Sequence, residues 1–258
     1  GPIGQVGGLR AGLSLARLAP ILERAFSAPG VKAVALAINS PGGSAVQSAL
    51  IAKRIRDLAK EKDVPVVAFI EDVAASGGYW LACAGDEIYA DANSIVGSIG
   101  VIFAGFGFAD LLRRWGVRRR LYTAGERKGA LDPFSPEKPE EVERIKAIQR
   151  DIHENFQAWV RERRGDRLRD PEGELFTGEF WSGKRALELG LIDGLDDLRA
   201  AMRRRFGDTV RLRPVGTEVS RWRRVLPWPV GRAEDGAGWA EDLIGAAEAR
   251  WLWSRFGL

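Results

Sequence analysis

The stretch from Glu71 to Trp80, EDVAASGGYW, limits the fold more than any other part of this chain. Before it runs Val64 to Ile70 (VPVVAFI), apolar and β-branched, a strand-length segment of the kind buried on both faces. After it, Tyr79 to Ala84 reads as an apolar helix. Ser76 lies between, preceded by small residues and followed by two glycines. A serine at such a strand-to-helix turn holds its hydroxyl at the mouth of the helix, where the first backbone N–H groups have no partner. On this stretch alone, Ser76 reads by default as a helix cap. The same position also suits a nucleophile with half of an oxyanion hole beside it.

A second unit of the same kind stands just upstream. Leu13 to Phe26 repeats Leu15, Leu18, Leu22 and Phe26 on one helical face and closes at Pro29-Gly30. Val31 to Asn39 (VKAVALAIN) is a strand candidate, and it ends in the turn Ser40-Pro41-Gly42-Gly43. Ser44 then caps a helix predicted over Ala45 to Lys62, with Val46, Leu50, Ile51, Ile55 and Leu58 as its buried stripe. Strand, turn, helix, strand, turn, helix is the signature of parallel strands joined by crossovers, so the fold class is α/β. Parallel neighbours bring their C-terminal ends together, and a crevice opens there. The N–H groups of Gly43 and Gly77 could then converge on one oxygen, or both turns could serve only as helix entries.

The remaining elements follow the same pattern. Strand candidates are Glu87 to Ala90, Ser94 to Ile102 and Val117 to Tyr122, with Val210 to Arg213 as an edge strand. Helices are predicted over Ala109 to Trp115, Pro139 to Arg164, Ser182 to Leu189 and Asp196 to Phe206. The longest carries Val142, Ile145, Ile148, Ile152, Phe156 and Trp159 on one side. Gly125 to Pro136 is a loop by composition and holds Lys128. From about Thr217 the composition changes: five of the nine tryptophans (Trp222, Trp228, Trp239, Trp251 and Trp253) fall there. The chain thus divides into residues 1–214 and a Trp-rich tail, 215–258, ending in an amphipathic helix with Trp239, Leu243, Ala247 and Trp251 four apart.

Composition prunes the chemistry. One cysteine, Cys83, excludes an internal disulfide and a multi-cysteine zinc site, and its alanine-rich surroundings suit an inert buried thiol. A net charge of +4 does not by itself imply nucleic acid, and no nucleic-acid partner is expected. No run of about 18 apolar residues exists to span a membrane as a helix, and no signal-peptide pattern opens the chain. The start at Gly1, without methionine, suggests that native residues precede it. The one histidine, His153, sits in the long charged helix, so a Ser-His-Asp arrangement rests on a single weak candidate base. A lysine can serve as base instead. Lys128, flanked by glycines in AGERKGA, is the candidate, although charge patterning alone makes it an ordinary loop lysine.

Five segments, in order along the chain, resemble one family: INSPGGS (Ile38 to Ser44), ASGGYW (Ala75 to Trp80), GSIGV (Gly97 to Val101), TAG with the following lysine (Thr123 to Lys128), and FTGEFWSGKRALELGLID from Phe176. They resemble the signal peptide peptidase family of Ser-Lys serine proteases, in its short, single-repeat branch, from Gly1 to about Leu198. The resemblance implies Clp/crotonase-like repeated β-β-α units with a mostly parallel sheet and flanking helices. It implies that Ser76 is the nucleophile, Lys128 the general base, Ser98 the serine that orients the lysine amine, and Gly43 and Gly77 the oxyanion donors. It further implies a ring of identical subunits in which serine and lysine come from adjacent copies, with no metal or organic cofactor. Substrates would be peptides or unfolded proteins, such as signal-peptide remnants and membrane-derived fragments. Family members are usually membrane-anchored, and this chain shows no anchor. It is therefore expected in the cytoplasm or at the periphery of the cytoplasmic membrane. The tail matches nothing in the family pattern; core or interface packing, a membrane-interface helix and a segment occupying the protein's own site are its three readings, in that order. Two other functions use the same fold: a crotonase-like acyl-CoA enzyme and a catalytically idle scaffold.

Overall fold

A computed structural model describes residues 1–6, 10–170, 173–216, 250 and 253–256. The elements are β1 (Gln5–Val6), β2 (Arg10–Ala11), α1 (Leu15–Phe26), β3 (Val34–Ser40), α2 (Ala45–Lys62), β4 (Val66–Ala75), α3 (Gly77–Ala82), β5 (Glu87–Ala90), β6 (Ile95–Gly97), α4 (Ala109–Arg114), α5 (Pro139–Arg164), β7 (Phe180–Ser182), α6 (Gly183–Glu188), β8 (Gly194–Leu195) and α7 (Leu198–Phe206). They form a mixed α/β structure of the Clp/crotonase-like kind, with a curled, mostly parallel sheet and flanking helices.

β4 is the centre of the sheet. One edge pairs with β3 in parallel, from Val34 against Val66 to Ser40 against Ala74. The other edge is shared: Val67 to Ile70 pair with β5, and Val73 to Ala75 pair with β6. The change of partner falls at Glu71 and Asp72, the exposed pair within an otherwise buried strand, where the register with β3 also shifts. Ser94 closes the break, its hydroxyl donating to the Glu71 carbonyl at 2.5 Å. β8 continues the sheet beyond β5 in parallel, and β7 runs antiparallel to β6.

Strand alternation puts Ala68 and Ile70 on one face of β4 and Val67 and Phe69 on the other. The first face packs against α2, α3 and the C-terminal half of α5 in the main core, where Trp80 stacks on Phe156 at 4.6 Å between centroids. The second face takes Ala201 and Met202 of α7. Trp253 and Phe256 pack near Val73, Ala75 and Ile95, with Phe256 edge-on to Phe180.

The expected helices within the described residues form with ends displaced by at most two residues, whereas β4 runs on past Ile70 to Ala75 and Ser94 to Ile102 is strand only over Ile95–Gly97; the expected tail helix from Trp239 falls mostly outside the described residues. Several details differ. Val117 to Tyr122 is exposed and unpaired among the described residues, since three successive arginines and no adjacent strand leave nothing to bury or bond it. Val210 to Arg213 is not a strand and pairs with none among the described residues; Leu212 packs onto the sheet face beside α7 instead of extending an edge. In α2 the buried face is Ser48, Ile51, Ala52, Ile55, Leu58 and Ala59, while Val46 and Leu50 are exposed. In α5 only Phe156, Val160 and Arg164 are buried, so its apolar stripe meets the core along one end only. The short strands β7 and β8 and the β1–β2 hairpin carry too few residues for periodicity to reveal them. Most of the tail lies outside the described residues.

Arg164 anchors the end of α5. Its buried guanidinium donates to both Asp193 carboxylate oxygens, at 2.7 and 3.0 Å, and to the Gly190 carbonyl. Burial pushes the Asp193 carboxyl up, but the hydrogen bonds and charge of Arg164 outweigh it and hold the carboxyl below its ordinary range. A depressed carboxyl contributes stability above its unfolded value near about 3.9, and loses it as pH falls through the lower folded value. Asp193→Ala is expected to lower unfolding free energy by about 3–5 kcal/mol in urea titration at neutral pH, because it strands a buried guanidinium. The difference from the parent should shrink as pH drops below about 4.

Candidate active site

The S-P-G-G turn after β3 and the S-G-G turn after β4 meet at the C-terminal ends of two paired strands. Their contact is backbone against backbone. A Cβ on Gly42 would lie 2.8 Å from Ser76 Cβ and 2.9 Å from the Ala75 carbonyl oxygen. One on Gly78 would lie 2.5 Å from the Ser40 carbonyl oxygen, and one on Gly77 would lie 2.4 Å from Ser48 Oγ. Ser48 cannot easily yield, being fully buried with its hydroxyl donating to the Ser44 carbonyl at 2.9 Å. Gly43, at φ 137°, also accommodates the N-terminus: Ile3 bridges it, accepting from Ser44 N–H and donating to the Gly42 carbonyl.

This packing sets the two candidate donors side by side. The Gly43 nitrogen lies 3.5 Å from the Cβ position of Gly77. Neither the Gly43 nor the Gly77 N–H has a hydrogen-bond partner among the described residues. Gly77 is the first residue of α3, so its N–H is one of the groups a helix leaves unpaired.

Ser76 stands between them at φ 51° and ψ −120°, a backbone conformation unusual for a residue with a side chain. It is half-buried in a stretch, Val73 to Gly85, whose other members are all buried. Its own N–H donates to the Gly97 carbonyl at 2.8 Å, and its hydroxyl makes no cap on α3. The default reading of Ser76 as a side-chain N-cap therefore fails, since its hydroxyl accepts no hydrogen bond from the first N–H groups of α3.

The same hydrogen bond brings Ser98 to the site. Ala75 pairs with Gly97, which sets Ser98 next in line to Ser76. Ser98 is buried, also has a positive φ of 52°, and is fixed by its N–H donating to the Glu179 carbonyl at 2.7 Å. Sequence reasoning missed the residues that hold this segment, Glu179 and Trp181 of the β7 region. Trp181 lies so close that a Cβ on Gly97 would be 2.8 Å from its ring. His153 also supports it, with Nε2 3.1 Å from the Ile99 carbonyl oxygen, and is engaged there and not on Ser76.

Among the described residues no hydrogen bond joins Lys128 to Ser76 or Ser98. Lys128 is exposed, in a turn where its N–H donates to the Gly125 carbonyl and Ala130 N–H to the Arg127 carbonyl. That turn belongs to an arm, residues 101–137, with many apolar side chains in solvent: Phe106 is 81% exposed, Trp115 77% and Tyr122 89%. Phe108 stacks on Phe134, and Arg119 lies over the same ring, so the arm is ordered by its own contacts. Among the described residues no cluster of histidine, cysteine or carboxylate could hold a metal ion. Cys83 is fully buried, and burial pushes its thiol up to about 12, which makes it inert.

The profile of peptidase family S49 matches residues 58–207, which hold Ser76, Ser98 and Lys128 and more than half of the sequence. The chain belongs to peptidase family S49. It is 36% identical over 165 residues to a putative signal peptide peptidase SppA of Enterococcus faecium, covering 63% of this chain and 47% of that one. It is 34% identical over 188 residues to protease 4 of Haemophilus influenzae, covering 72% and 30%. A protein of Brucella abortus named as the Na(+)/H(+) antiporter NhaA is 51% identical over 256 residues, 97% of this chain but 35% of that protein. The chain thus spans about a third to a half of the length of these relatives. Among its described residues no helix is long and apolar enough to cross a membrane.

The strained turn supplies a test. Ser76→Gly relieves the positive φ, whereas Ser76→Ala removes the hydroxyl and keeps the strain. Ser76→Gly should therefore be the more stable of the two by about 1 kcal/mol in urea or thermal unfolding, after the backbone entropy of glycine is set against the relief.

Proposed function

We propose that this chain is a serine endopeptidase that cuts peptide bonds through Ser76, with Lys128 as general base and Ser98 as the residue that positions the lysine amine. The observation carrying this reading is the site's geometry: a half-exposed serine at positive φ beside two unpartnered N–H groups, those of Gly43 and Gly77. Ser76 Oγ attacks the carbonyl carbon of the scissile bond as Lys128 takes its proton. The Gly43 and Gly77 N–H groups hold the oxyanion, each worth about 2.7–4 kcal/mol of barrier. Lys128 then returns the proton to the leaving amine, and water repeats the steps on the acyl-enzyme. The reaction needs no metal or organic cofactor.

In this reading Lys128 reaches Ser76 from a neighbouring copy in a ring. Two observations support it: Lys128 is exposed and shares no hydrogen bond with Ser76 or Ser98 among the described residues, and the arm that carries it presents apolar side chains that a second copy would cover. Membership of family S49 favours a peptidase over an acyl-CoA enzyme or an idle scaffold. Substrates are signal-peptide remnants or other apolar, membrane-derived peptides, in keeping with the name of the Enterococcus relative. The name of the Brucella relative supports work beside a membrane.

Purified protein should cleave casein or an apolar fluorogenic peptide, and Ser76→Ala and Lys128→Ala should each abolish turnover. Mixing the two inactive variants under conditions of subunit exchange should restore activity at about one quarter of the sites, since one donates the serine and the other the lysine across a head-to-tail interface. Variants that keep full activity would remove the Ser-Lys assignment. A mixture that stays inactive while subunits demonstrably exchange would confine the dyad to one chain.

A further inference from the structure

We propose that α7 and the segment after it form a docking site for an anionic phospholipid bilayer. A cavity of about 400 Å³ is lined by Arg199, Arg203, Val210, Arg211, Leu212 and Arg213. α7 presents Arg199 and Arg203 one turn apart, because its opposite face buries Ala201 and Met202 on the sheet. Burial alternates in the segment after α7: Leu212 packs inward, whereas Arg211 and Arg213 are exposed.

The neighbouring arginines show what is distinctive here. Arg204 pairs with Asp196, and Arg205 with Glu87. Arg199, Arg203, Arg211 and Arg213 have no ion pair among the described residues. Four like charges round one cavity repel each other, and that repulsion is relieved by a phosphate-bearing ligand, whose oxygens a guanidinium recognises two at a time. Asp208 is the one acidic residue between the two pairs of arginines in sequence.

A further observation selects a bilayer. From Arg199 to Arg232 the sequence holds ten arginines against Asp208 and Glu218, and the last four, Arg221, Arg223, Arg224 and Arg232, are interspersed with Trp222 and Trp228. Polybasic sequence with tryptophan suits the headgroup layer of an anionic membrane. The site also leaves the Ser76 turn unobstructed by α7, which packs on the face of β4 opposite α2 and α3.

The test is co-sedimentation of the whole chain with vesicles of phosphatidylglycerol and phosphatidylcholine, against vesicles of phosphatidylcholine alone. Binding is expected only to the anionic vesicles, and it should weaken as salt rises. Neutralising all four residues (R199Q, R203Q, R211Q and R213Q together) should weaken it about 100-fold or more, at roughly fivefold per charge near such a surface. The residues are exposed, so far-ultraviolet circular dichroism and turnover of a soluble peptide should be unchanged. Three results would overturn the proposal: quadruple-variant binding within threefold of the parent, equal binding to uncharged vesicles, or vesicles left unbound while inorganic phosphate or duplex DNA binds at these arginines.

Discussion

Everything at the candidate site depends on how closely two backbone turns can approach. The S-P-G-G and S-G-G turns lie at distances where a single added carbon on Gly42, Gly77 or Gly78 would meet a carbonyl, a Cβ or a buried hydroxyl at under 3 Å. No side chain could replace this contact, because the groups to be aligned are main-chain N–H donors. The surrounding structure holds the approach fixed. β3 and β4 pair up to Ala74, Ser40 is buried under the turn, and Ile3 braces Gly43 from the other side. α3 is held in turn by the Tyr79 hydroxyl donating to the Leu191 carbonyl and by the Trp159 indole donating to the Trp80 carbonyl.

The parts of this arrangement differ in how much the sequence discloses. α2 and α5 follow from periodicity and end where their caps and breakers stand. The two glycine turns follow from residue type, since few other sequences need paired glycines after an apolar strand. The conformation of Ser76 does not follow, because a serine before glycine is an N-cap in most contexts, and its positive φ stands just past the long-range pairing of β4 with β6. Burial along α5 was likewise illegible. Helical spacing shows that Ile148 and Phe156 share a side, but not that the core stops short of Ile148. Ser98 was marked by motif alone, and the groups that secure it, Glu179 and His153, lie far from it in the chain.

The core and the arm answer to different requirements. The core buries a continuous set of aliphatic and aromatic residues and satisfies Arg164, the one deeply buried charge among the described residues, with Asp193. The arm has aromatic stacking and local hydrogen bonds, yet leaves large apolar side chains in water. Apolar patches of this size on a folded protein ordinarily mark a binding surface. The proposed dyad gives that surface a chemical purpose, since it would tie catalysis to assembly.

The divided edge of β4 has a mechanical consequence. Strands with one partner along each edge transmit displacement along their whole length. β4 changes partner at Glu71 and Asp72, with a shift of register on its other edge. The half that pairs with β5 carries the rigid interior, and the half that pairs with β6 carries the Ser76 turn. The exposed pair between them is tied by the Ser94 hydroxyl donating to the Glu71 carbonyl and by the Asn39 amide donating to Asp72, so turn and interior lean on different neighbours while staying fixed to each other.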